Sequence, residues 1–67
     1  MLRKLIKMRR QLAELSQVEV AQRIGRGQTF VSAVERGQHR ISVIEFLDLA
    51  KAIGFDPASE IRRLAKI

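Results

Sequence analysis

The chain contains no cysteine, no tryptophan and no tyrosine, and its one histidine is His39. Without cysteine there is neither a disulfide framework nor a thiolate zinc site. A lone histidine does not build a metal site either. Three phenylalanines are the whole aromatic content, which leaves no platform on which single-stranded bases stack. No apolar run approaches the roughly 18 residues that span a bilayer. The opening MLRKLIKMRR is basic but lacks the apolar stretch and small-residue cleavage site of a signal peptide. It also lacks the Trp or Phe anchors of a helix lying on a membrane surface. Nothing in the chain pairs a nucleophile with a base, sets two carboxylates for acid–base work or forms a phosphate-binding loop, so no enzyme and no cofactor is expected. The G-R-G of residues 25–27 is too short for a dinucleotide fingerprint.

Acids are scarce as well. Seven Asp and Glu face thirteen Lys and Arg, giving a net charge of +6 and a pI near 11.2. That balance is the electrostatic footprint of a nucleic-acid-binding domain, although a solvated basic surface carries the same charge. The cations are unevenly spread. Arg3, Lys4, Lys7, Arg9 and Arg10 precede the first acid, Glu14, and Arg23, Arg26, Arg36 and Arg40 surround a pair of glycines. With 67 residues the chain is expected to form one domain, 1–67. A domain of this size buries only about 60% of the surface its unfolded chain exposes.

Apolar residues recur at helical spacing and no strand alternation appears. Leu2, Leu5, Ile6 and Leu12, with Met8 and Ala13, predict a first helix ending near Glu14 and Leu15. S-Q-V-E at 16–19 is a capping box that opens a second helix, with Val20, Ala21 and Ile24 inward. Gly25 ends it. Gly27 serves as the next N-cap, and a third helix runs from Gln28 to about Glu35 with Val31 and Val34 inward and Phe30 at the core edge. Gly37 stops it. S-V-I-E at 42–45 is a second capping box, opening a helix with Val43, Phe46, Leu47, Ala50 and Ile53 on its inner stripe up to Gly54. Asp56 then caps a last helix, with Pro57 at its first position, where the missing N–H costs nothing.

A helix that stops at Gly25 and restarts at Gln28 is the plan of a helix-turn-helix. The segment LSQVEVAQRIGRGQTFVSAVERG resembles the Cro/XRE, lambda-repressor-like family. The matching positions are Leu15, Ser16, Gln17, Val20, Ala21, Ile24, Gly25, Val31, Ser32, Val34, Glu35 and Gly37, and the likeness covers residues 3 to about 55. It departs at Gly27, where the family often has Ser or Thr, and at Ala33, where many members carry a longer polar side chain. The resemblance implies an all-α, compact five-helix domain that binds double-stranded DNA in a sequence-specific way and regulates transcription, with repression as the expected sign. It also implies a homodimer on a roughly palindromic site and a cytoplasmic, nucleoid-associated location. An antitoxin, a restriction–modification controller and a protein-interaction module use the same fold and stand as alternatives. No membrane partner or small-molecule ligand is expected.

Within that frame Gln28, Thr29, Ser32 and Ala33 are the expected base readers, because the start of the second helix of the motif enters the major groove. A glutamine amide pairs with adenine through two hydrogen bonds, and Ala33 suits a thymine methyl. Gln17, Arg26, Arg36, His39 and Arg40 are the expected phosphate contacts, with Gln17 also bracing Gln28. The resemblance further implies an ion pair between Arg10 and Glu35, read as structural. Ile61, Leu64 and Ile67 leave an apolar strip on the last helix, which with Phe55 is the expected dimer seam.

Overall fold

The computed structural model describes residues 2–65, with side chains described from residue 3 to residue 63. Among the described residues there are five helices and no strand: α1 (Leu2–Leu12), α2 (Gln17–Arg23), α3 (Gln28–Glu35), α4 (Val43–Ile53) and α5 (Pro57–Ala65). Both capping boxes are formed, Ser16 with Glu19 and Ser42 with Glu45. Asp56 accepts the Ala58 backbone N–H at 3.0 Å and so starts α5. The core is Ile6 of α1, Val20 and Ala21 of α2, Val31 and Val34 of α3, and Phe46, Leu49 and Ile53 of α4. It sits where the four helices meet, so α3 rests its inner face on α1 and α2 and keeps its outer face free.

Helix ends follow one device. The N–H of Arg26 donates to the carbonyl of Ala21, that of Gln38 to Ala33, and that of Phe55 to Ala50. In each case the residue before the donor is a glycine at positive φ: Gly25, Gly37 and Gly54. The end of α1 has the same geometry, Leu15 N–H to Arg10 carbonyl at 3.1 Å, but the left-handed residue is Glu14, at φ 58°. α1 stops at Leu12, two residues before its left-handed residue, just as α2 stops at Arg23 before Gly25; the expected end near Glu14 and Leu15 falls at this turn, without a glycine to signal it.

Three apolar residues expected inward face solvent. Val43 is 75% exposed, Leu47 47% and Leu12 68%. In α4 the inner stripe begins a turn later than expected and runs Phe46, Leu49, Ala50, Ile53, with Leu49 fully buried. Val43 directly follows the Ser42 cap, on a turn that α1 and α2 do not cover. Leu12 lines an open hollow with Arg9, Ile53 and Phe55 because α1 ends at it.

α5 is docked by charge. Glu60 is 4% exposed. It accepts the Arg9 Nε–H at 2.9 Å and pairs with Arg63 at 3.2 Å. Nothing in the apolar periodicity announces this. The available signal was that Glu60 is the lone acid within α5, in a stretch otherwise basic.

Candidate nucleic-acid interface

The interface is built on the turn between α2 and α3. Gly25 takes φ 69°, a conformation that costs an L-residue roughly 1–2 kcal/mol. Gly27 then caps α3 with extended backbone and no side-chain hydrogen bond. Val31 and Val34 are fully buried beneath α3. On the opposite side Gln28 and Thr29 are exposed, and Ser32 and Ala33 are partly covered.

A chain of polar groups ties the start of α3 to its end. Arg10 meets Glu35 through two hydrogen bonds, Nε to Oε2 at 2.7 Å and Nη2 to Oε1 at 3.0 Å. Arg10 also donates to the Leu15 carbonyl at 2.8 Å. Hydrogen bonding to Glu35 raises the Arg10 guanidinium above its ordinary range, so it stays charged. Gln17 donates its amide N–H to Glu35 at 3.1 Å, and Gln28 donates to the Gln17 amide oxygen at 3.2 Å. Polarity fixes the order. A carboxylate only accepts, so Gln17 must turn its NH2 toward Glu35 and its oxygen toward Gln28. Gln28 must then turn its NH2 toward Gln17. What remains free on Gln28 is one N–H and the amide oxygen, which is the pair needed to bridge the N7 and N6 of adenine.

Arg36 and Arg40 are exposed just beyond α3. Arg3 reaches across from α1 and donates to the Arg36 carbonyl at 3.2 Å. Its guanidinium fills the space a Cβ at Gly37 would need. Arg26 and His39 are not free side chains. Both meet Glu45: Arg26 at 3.3 Å, His39 Nε2 at 3.0 and 3.2 Å. Both also touch Phe30, the guanidinium 4.3 Å from the ring centroid and the imidazole edge-on at 5.0 Å. The Ser42 backbone N–H, and after it the His39 ring, hold the Glu45 carboxyl down to about 2. Sequence reading gave Glu45 only its capping role; its second role depends on the loop at 38–42 folding His39 back over Phe30.

Of the expected seam, Phe55 is half-buried, packs edge-on against Phe46 with centroids 6.1 Å apart and lies under Arg9 at 5.5 Å. It belongs to the core edge. Ile61 is 50% exposed. Ile67 and the side chain of Leu64 lie outside the described residues.

A buried apolar face, a glycine-set turn and a second helix with a polar outer face define a helix-turn-helix domain. A family model described as a helix-turn-helix domain matches residues 2–64. A solved structure described as an XRE-family like protein from Pseudomonas syringae pv. tomato str. DC3000 is 40% identical, with a TM-score of 0.93 over 97% of this chain and 79% of that one. No curated protein matches. The chain belongs to the Cro/XRE helix-turn-helix family, which at the family level is one of DNA-binding regulators.

Proposed function

We propose that this protein is a sequence-specific binder of double-stranded DNA that represses transcription as a homodimer on a site of approximate two-fold symmetry. The observation that carries the reading is the Arg10–Glu35–Gln17–Gln28 chain, which presents one donor and one acceptor of Gln28 at the start of α3. Gln28 reads a base, Thr29 and Ser32 contact base edges or phosphates, and Ala33 meets a thymine methyl. Gln17, Arg36 and Arg40, with Arg26 and His39, contact phosphates and set the register without reading sequence. The role is binding rather than catalysis, and the place is the cytoplasm, at the nucleoid.

The test is selection of bound duplexes from a fragmented-genome library at roughly physiological salt. An enriched motif with inverted symmetry is expected, its half-sites about one helical turn apart. Salt-sensitive binding with no enriched motif contradicts the reading and favours an antitoxin or an interaction module.

A further inference from the structure

His39 stands in the loop between α3 and α4, with its side chain 37% exposed. Its Nε2 faces both oxygens of Glu45. Glu45 is itself fixed, because one of those oxygens also accepts the Ser42 backbone N–H at 3.0 Å. A carboxylate only accepts, so Nε2 carries its hydrogen. The neutral ring then has a bare lone pair on Nδ1. A lone pair turned to a phosphate oxygen repels it. The same nitrogen becomes a donor once it is protonated. A ring flip does not rescue the neutral form, since it puts a ring carbon where Nε2 meets Glu45 and so breaks that contact. The charged groups around the ring are few. Glu45 faces it from α4. Arg26, from the turn before α3, shares both Glu45 and Phe30 with it. α3 supplies only Phe30, which is uncharged, and Arg36 and Arg40 flank His39 in the chain.

We propose that His39 is a proton-gated phosphate contact: with Nε2 committed to Glu45, the ring donates from Nδ1 to a DNA phosphate only after taking up a proton from solvent. The product is a carboxylate–imidazolium–phosphate bridge in which the Nε2 hydrogen stays where it was. DNA binding therefore takes up as much as one proton per subunit, and affinity rises as pH falls. The inference rests on the DNA reading above and concerns the backbone contacts, not the base contacts.

The experiment is fluorescence anisotropy with a labelled mixed-sequence duplex at fixed ionic strength, comparing wild type, His39→Gln, His39→Arg and Glu45→Gln. Wild-type affinity is expected to fall at least about threefold between pH near 5.5 and pH near 8, across the range in which histidine changes charge. The slope of log K against log salt should be steeper by about 0.9 per subunit at the lower pH. His39→Gln should lose most of both effects, and His39→Arg should bind tightly at both values. Glu45→Gln frees the neutral ring to place its hydrogen on Nδ1, so its pH response should flatten. Melting curves establish that each variant is folded. A pH response equal in wild type and His39→Gln overturns the proposal, as does a His39→Arg variant as weak as wild type at the higher pH. Failure of wild type to bind any duplex at low salt instead sinks the DNA reading.

Discussion

Gln28 owes its orientation to a residue it does not touch. Glu35, with 3% of its side chain exposed, forces the polarity of two successive amides. Glu35→Gln removes that constraint, since an amide offers either end to Gln17. The variant also leaves Arg10 without its carboxylate, so it should lose stability as well as part of the preference at the base read by Gln28, the latter measured on folded protein as the affinity ratio of the selected site to its single-base variants. Arg10 answers to stability. Truncating Arg10 to alanine leaves the buried Glu35 charge without its main partner, which costs on the order of 3–5 kcal/mol. Thermal unfolding reads this directly, and a melting temperature within a few degrees of wild type contradicts it.

Among the elements, the three glycine-terminated helices were legible because the left-handed residue after the last turn leaves a mark in the sequence. At the end of α1 Glu14 holds that position at φ 58°, so that end carries no glycine mark. A glutamate there bears strain of roughly 1–2 kcal/mol that a glycine does not. Glu14→Gly should therefore stabilise the protein by about 0.5–1 kcal/mol after the entropy cost of glycine, read as a rise in melting temperature; a fall contradicts the assignment of that turn. The inner stripe of α4 was read one turn early because Val43, Ile44 and Leu47 are as apolar as the buried set. Periodicity cannot tell which apolar turn has a neighbouring helix to cover it. The α2–α3 turn and the outward residues of α3 were legible, since cap, glycine and valine positions fix them jointly. The Glu45 and Glu60 contacts were not: Arg26–Glu45 and Arg9–Glu60 join residues far apart in the chain, and His39, though only six residues before Glu45, reaches it through a loop that has no periodicity to read.

On the scale of the whole molecule, part of the fold's acid response comes from two carboxylates held ionised by helix caps. Glu45 sits at about 2 in the folded protein against an ordinary 4.5, and Glu19 is lowered by the Ser16 hydrogen bonds. A folded value below the unfolded one means that the contribution is complete above about 4.5 and is lost as pH falls toward about 2. Melting temperature should drop through that window, and Glu45→Gln should flatten the drop; an unchanged acid profile contradicts it. The proposed dimer makes a further demand. Of the described seam residues Phe55 is half-buried and Ile61 is the more exposed. Ile61→Asp should halve the mass seen by light scattering. Equal masses for Ile61→Asp and wild type remove α5 from the seam.

The central claim is that α3 reads a base through Gln28, and the most direct measurement is a cycle between protein and DNA. Wild type and Gln28→Ala are each titrated against the selected site and against the same site changed at one base pair at a time. The account predicts that Gln28→Ala abolishes discrimination of about 1–3 kcal/mol at one position per half-site and leaves the others intact. A uniform loss across all sites, or no loss at any, would show that Gln28 does not read sequence.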